Sequence, residues 1–235
     1  ADPKSGESRN RGPRDDEPFS ALAFKIASDP HVGRVVYARA YSGALTTKDA
    51  VFNPRTGTRE RVMRILRLHS NRRKPETSMR AGDILALVGL RETKTGDTIC
   101  DFNHPISFEP MTFPVPVISR SIEPRSTADE EKLATSLERL VDEDPTCRVL
   151  VDNETGQRVI QGMGELHLEI LVDRLIREFG VEAHVGRPQV SYRETIARRG
   201  EAEAEFAQPL GGKNQYARVR VSLEPVDPGR GVEFQ

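Results

Sequence analysis

Residues 159–175 read VIQGMGELHLEILVDRL, and a change of period inside this run decides the fold. Up to Gln161 the pattern is that of a strand. From Glu165 onward Leu168, Leu171, Val172, Leu175 and Phe179 recur every three or four residues, the spacing of one helix face. Gly162, Met163 and Gly164 fall at the change, where glycines permit a sharp strand-to-helix turn and a close backbone approach. Glu165 occupies the first helical turn, which favours an anion, and Gly180 stands just past the last turn, where a C′ glycine belongs. His167 and Glu169 are two apart and so diverge by about 200° around a helix. The position that would complete a His-Glu-x-x-His zinc helix is Leu171. Gly162, Met163, Gly164, Glu165, Leu166 and His167 therefore read as a structural turn and helix start, not as a catalytic or metal site.

Working outward, PVPVISRSIEP is an extended stretch that its prolines keep out of a helix. Thr127 and Glu130 have the spacing of a capping box. Leu133, Leu137, Leu140 and Val141 form the stripe of a helix that Asp144-Pro145 stops. CRVLVD and QRVIQ are two strands joined through residues 153–156, and VEAHVG is another. The order over residues 113–187 is β-α-β-β-α-β, a ferredoxin-like α+β domain. QRVIQ carries no aromatic residue, so its sheet is not a base-stacking platform of the RNA-recognition type.

Residues 18–104 show period-two alternation and no convincing helix. Leu22, Phe24 and Ile26 alternate in ALAFKIAS, GRVVYARAYSG ends in a Ser-Gly turn, and AVFNPRTGTRERVMRIL is a hairpin turning over residues 53–57. AGDILALVGL is apolar on both faces, as a doubly covered strand would be, and residues 93–96 supply a tight turn. Short strands at this spacing predict a small closed antiparallel β-barrel. Residues 1–17 have almost no apolar side chains and read as a flexible linker or tail. From 188 to 235, YRETI, EAEAEFAQ and QYARVRVSL are extended. The last places Ala217, Val219, Val221 and Leu223 inward and Arg218 and Arg220 outward, with nothing in the sequence to cover the sheet. The segment reads as the incomplete start of a further domain, and the chain as part of a longer polypeptide. The fold class is thus mixed and multi-domain: a barrel, a ferredoxin-like domain and a truncated β-rich segment.

Composition excludes several functions. No apolar run has the length of a membrane span; a monomer in a reducing cytosol, with no membrane partner, is expected. Cys100 and Cys147 are too few for a disulfide framework or a zinc site. GGKNQ at 211–215 lacks the spacing of a phosphate-binding loop, so no nucleotide-hydrolysing site, cofactor site or catalytic group is expected in this chain. The formal net charge of −1 conceals an asymmetry: through Pro110 there are 19 Lys+Arg against 14 Asp+Glu, and the remainder is acidic. Between residues 55 and 80, nine basic side chains face two acidic ones. A run rich in arginine suits phosphate, which guanidinium pairs with bidentately. Arg55, Arg59, Arg61, Arg64, Arg72, Arg73 and Lys74 are accordingly the candidate RNA contacts; a merely solvated face is the alternative.

FSALAFKI, VYARAYSGAL, RAGDILALVGLRETKTGDT, FPVPVI, EDPTCRV, GMGELHLEI, GRPQVSYRETI and GGKNQYARV occur in this order, and from about Pro18 onward the chain resembles the middle of elongation factor G. The resemblance implies a ribosome-dependent GTPase that moves tRNA and messenger RNA. GTP and Mg would be held by a GTPase domain preceding residue 1, and further parts would follow Gln235. It implies that the barrel docks on small-subunit ribosomal RNA. It also implies that the next domain packs between the GTPase domain and a small-subunit protein, relaying the nucleotide state. HSNRRKPE is more basic than the family run, and Asn214 stands where glycine is commoner. Both point toward a second-type paralogue, with recycling or ribosome-protection factors, or a plain interaction module, as alternatives.

Overall fold

Alternating apolar residues between 20 and 100 build ten strands: β1 (Ser20–Asp29), β2 (Gly33–Ser42), β3 (Ala44–Thr46), β4 (Ala50–Asn53), β5 (Thr58–Arg61), β6 (Arg64–His69), β7 (Arg72–Glu76), β8 (Ser78–Arg80), β9 (Ile84–Val88) and β10 (Thr98–Cys100). The computed structural model describes the chain except residues 4, 30, 70–71, 190–195, 211–212, 228–231 and 235, and the side chains of 128, 209–210 and 213–214. Eight strands form one antiparallel sheet in the order β5-β4-β10-β1-β2-β9-β6-β7, and β3 pairs with β8. β4 and β6 lie second from opposite ends of that order, yet Val51 and Ile65 share one core with Ile26, Met79 and Leu87. The sheet therefore curls round a single interior.

Among the described residues the strand order runs from β5 to β7 without a ladder that closes it. β7 is Arg-Arg-Lys-Pro-Glu, and charge plus proline is how an edge strand resists further pairing. The connection between β5 and β6 is tied to its neighbours, with the Met63 N–H donating to the Val88 carbonyl at 2.7 Å and the Val62 N–H to that of Asp49 at 3.0 Å. The two-sided burial expected of β9 is present: Leu85 and Leu87 enter the main core, while Ala86 and Val88 pack with Val35 and Leu66 outside it. Arg11 and Arg14, in the stretch expected as a linker or tail, bond to the barrel. Arg11 donates to the carbonyls of Pro18, Phe19 and His104, and the Gly43 N–H donates to the Arg14 carbonyl at 2.8 Å.

The following domain comprises β11 (Ile118–Pro124), α1 (Ala128–Glu143), β12 (Arg148–Val151), β13 (Arg158–Gly162), α2 (Glu165–Arg177) and β14 (Ala183–Gly186). Its antiparallel sheet has the order β12-β13-β11-β14, the ferredoxin-like arrangement read from the element order. Leu133, Leu137 and Leu140 from α1 and Leu168, Leu171 and Leu175 from α2 bury against Ile122 and Ile160. Each such side chain contributes roughly 1.5–3 kcal/mol of burial. Two local expectations fail. The first strand begins only at Ile118, because Pro114 and Pro116 have no N–H to pair. Thr127 is the N-cap of α1 but makes no side-chain cap bond; its backbone is already helical, and the nearby side-chain bond runs instead from Ser126 to Asp129 at 2.6 Å.

The barrel and this domain meet at the C-terminal end of α1. Ser28 N–H donates to Glu143 Oε1 at 2.6 Å, and Arg34 Nε to Asp142 Oδ2 at 2.9 Å. Arg34 also donates to the carbonyls of Leu90 (2.6 Å) and Thr93 (2.5 Å), so one half-buried guanidinium ties α1 to the barrel turn at 91–97.

Residues 190–235 form a separate unit. In it β15 (Gly200–Leu210) pairs antiparallel with β16 (Lys213–Leu223). Ala202, Ala204 and Phe206 stand opposite Val221, Val219 and Ala217, so these share one face, and the other carries Glu201, Glu203, Arg218 and Arg220. The apolar face is exposed, not inward as the alternation suggested, since a lone hairpin has no second layer. Most of YRETI and the two glycines of GGKNQ lie outside the described residues.

Candidate functional site

The strand-to-helix turn is built as a close approach. Gly162 ends β13 with its Cα against α2; a Cβ there would come 2.9 Å from Leu168 Cδ2 and 3.1 Å from His167 Nδ1. The approach at Gly162 is thus to side chains of α2, not to its backbone. Gly164 makes no close approach: its φ of −179° is ordinary extended backbone, and an added Cβ would meet nothing within 4 Å. Glu165 opens α2 as expected and pairs with Arg120 of β11, an anchor not visible in the sequence. Gly180 is left-handed (φ 61°) and lets the Val181 N–H reach the Leu175 carbonyl at 3.0 Å.

His167 is occupied at both nitrogens. Its Nδ1 accepts the Met163 N–H at 3.0 Å, which leaves Nε2 to donate to Asp144 Oδ2 at 2.8 Å. Asp144 caps the end of α1, so the imidazole pins the turn before α2 to the turn after α1. Burial pushes the Asp144 carboxyl up, but the Thr146 hydroxyl and N–H and the His167 ring more than offset this and hold it below the ordinary value. Both cysteine thiols are buried and raised by that burial, Cys147 to about 12, so neither is a nucleophile at neutral pH. Among the described residues no three His, Cys, Asp or Glu side chains are placed to hold a metal ion. The turn exposes several apolar side chains beside Glu165 and Glu169: Leu166 is 70% accessible, and Met163, Ile170 and Val117 accompany it. The bonds of His167 tie the turn before α2 to the end of α1.

The seven candidate RNA contacts divide. Arg55 is committed to Asp97, donating from Nε (2.5 Å) and Nη2 (2.9 Å), and reaches the Glu92 carbonyl besides. Arg73 is held by Asp29 at 2.7 Å, and Lys74 faces Glu76 at 3.6 Å. Strand alternation also splits the run 72–74. Arg72 and Lys74 lie opposite His69 and Arg67 on one face, while Arg73 lies opposite Leu68 on the other. Arg61, Arg64 and Arg72 are exposed and make no side-chain bond among the described residues. Arg59 stacks its guanidinium 3.1 Å from the centroid of the half-exposed Phe102 ring, which meets Phe52 edge-on. A guanidinium over an exposed ring suits an unpaired base as well as a phosphate. The sequence run pointed to the arginines but not to Phe102, which is remote in sequence from Arg59.

A basic, curled sheet followed by a ferredoxin-like domain, with no metal-holding cluster among the described residues, is matched by domains of multidomain translation factors. Residues 33–100 match the family model for elongation factor Tu domain 2, residues 113–187 that for elongation factor G domain III, and residues 188–235 that for elongation factor G domain IV. The chain belongs to the elongation factor G family, in segments distinct from its GTPase domain. A crystal structure of a protein from Thermus thermophilus superposes with a TM-score of 0.72 at 30% identity, over 89% of this chain and 32% of that one. The chain thus spans about a third of the length of that relative. No helix among the described residues is long and apolar enough to cross a membrane.

Proposed function

We propose that this chain is the ribosome-docking and relay segment of a translocation GTPase, whose parent couples GTP hydrolysis to movement of tRNA and messenger RNA. The observation that carries the reading is the unbroken order of three matched domains, barrel, domain III and domain IV. GTP and Mg belong to the parent's GTPase domain; the segment itself holds no cofactor and acts as a monomer in the cytoplasm. The barrel grips small-subunit ribosomal RNA through Arg59, Arg61, Arg64 and Arg72, the cations not spent on internal carboxylates. The domain of α1 and α2 sits between the GTPase domain and a small-subunit protein. Its exposed Met163, Leu166 and Ile170 offer the apolar contact, and the His167–Asp144 bond keeps that surface rigid. Relay of a nucleotide-dependent movement requires such a stiff element.

Binding of the 235-residue chain to purified small ribosomal subunits, measured over a range of salt, tests this. Affinity that falls steeply with salt is expected, because each cation–phosphate contact releases counterions. Affinity indifferent to salt, or GTP turnover by the purified chain, would refute it.

A further inference from the structure

A cleft of about 720 Å³ lies between the barrel turn at 91–97, α1 and the β12 side of the ferredoxin-like sheet. Its making is specific. Arg34 bridges Asp142 of α1 and the Thr93 carbonyl, which brings Lys94 alongside the helix. Lys94 is itself held on a fixed turn, its N–H donating to Asp97 Oδ2 at 2.7 Å. The lining includes apolar Leu137, Val141 and Val149, and the cations Lys94, Arg139 and Arg158. None of these three cations makes a side-chain hydrogen bond or ion pair among the described residues. Of the two acidic residues in the lining, Asp142 is already paired with Arg34, leaving Glu138 alone against three positive charges.

β12, which contributes Val149 to the cleft, is an edge strand of its sheet. β12 ends the strand order and pairs only with β13 among the described residues, so its outer backbone groups are unmatched. Val149 and Val151 alternate on one side of β12, and Val151 is exposed. An unpaired edge bordered by apolar side chains is the geometry that accepts an extended peptide as an added strand.

From these placements we infer that the cleft binds an extended, acidic segment of a partner protein, added antiparallel or parallel to β12. Alternate apolar side chains of that segment rest on Val149 and Val141, and its carboxylates meet Lys94, Arg139 and Arg158. RNA is the less suited occupant, because the lining contains no aromatic ring to stack a base and an edge strand offers backbone bonds that a peptide alone satisfies. The inference is independent of the RNA contacts proposed for the barrel, which use other residues.

The test titrates the isotopically labelled 235-residue chain with a short peptide of alternating glutamate and valine, with its lysine–valine counterpart, and with oligouridine, following backbone amide resonances. The expected result is perturbation of residues 148–151 and 134–142 by the glutamate peptide alone, with new exchange protection in β12. Arg139→Glu with Arg158→Glu, both at sites without internal partners among the described residues, should weaken that binding about tenfold or more while leaving other resonances in place. Equal binding of the lysine peptide, or an unperturbed β12 at millimolar glutamate peptide, would overturn the inference. So would oligouridine binding that the double reversal abolishes.

Discussion

His167 Nε2 stands 2.8 Å from Asp144 Oδ2, while its other ring nitrogen accepts the Met163 N–H at 3.0 Å. The two bonds join the end of one helix to the start of the other, and they require the neutral Nε2–H tautomer. His167→Ala should therefore cost about 1–2 kcal/mol, the usual net worth of such bonds. The conservative variants separate the two. An asparagine places its oxygen near the Nδ1 position and keeps the Met163 bond; a glutamine reaches toward Asp144 and keeps the other. Urea midpoints for Asn and Gln lying between wild type and Ala are expected. If all three variants match wild type, the pin contributes nothing to stability.

The acid sensitivity of the fold should pass through Asp97. Its buried carboxylate accepts from Arg55 Nε and Nη2, from Asn53 Nδ2 at 2.9 Å and from the Lys94 N–H. Burial raises its pKa, but Arg55, Lys94 and Asn53 more than offset that and leave it below the ordinary 3.8. A carboxylate depressed in the folded state stabilises fully above its unfolded value and loses that contribution as pH falls through the folded one. Stability should thus decline as pH drops below about 4. Asp97→Asn should flatten this limb and cost about 1–3 kcal/mol at neutral pH, as a partner of buried Asn53 is weakened. Urea midpoints measured from neutrality to about pH 2 would reveal an unchanged acid limb if Asp97 were irrelevant.

These bonds mark where the sequence stops being legible. α2 could be read to within its first residue because the 3.6 period starts at Glu165 and the buried stripe Leu168, Leu171, Leu175 is local. The ferredoxin-like order followed from the same local periods. What joins Arg34 to Asp142, or Asp144 to His167, depends on a chain path that no window of sequence contains. The order of strands round the barrel was not legible for a related reason: strand pattern reports which face is buried, not which edges meet. The run Arg72-Arg73-Lys74 looked like one patch because adjacency in sequence was taken for adjacency on a surface, whereas consecutive strand residues point to opposite faces. Thr127 had the right spacing for a capping box, but spacing does not set the backbone angles that let the hydroxyl reach inward.

The two glycines of the turn should behave oppositely. Gly162→Ala forces a Cβ to 2.9 Å from Leu168, a side chain fully packed in the core, so α2 must shift or Leu168 must leave its rotamer. A cost of about 1–3 kcal/mol follows. Gly164→Ala meets no atom within 4 Å and adopts the same extended backbone, so its effect should stay within about 0.5 kcal/mol. Thermal unfolding of the two variants side by side decides this, and an equal loss in both would show that the close approach at Gly162 is not what the turn depends on.

Partition of the barrel cations gives the sharpest test of the RNA reading. Arg61→Ala with Arg64→Ala removes two exposed guanidiniums that hold nothing together among the described residues, so folding stability should be unchanged. The salt dependence of ribosomal-subunit binding should meanwhile shallow by about one unit of log–log slope for each phosphate-bound cation removed. Arg55→Ala should do the reverse. It strips Asp97 of its bidentate partner and lowers stability, but takes no cation from the RNA face. Arg59→Lys keeps the charge and loses the planar stack on Phe102, and Phe102→Ala removes the ring. If Arg59 engages a base, these two variants should weaken binding to a similar degree without altering the salt slope. If it engages only phosphate, Arg59→Lys should bind as wild type does, and the stacked pair is then a device for holding the arginine outward.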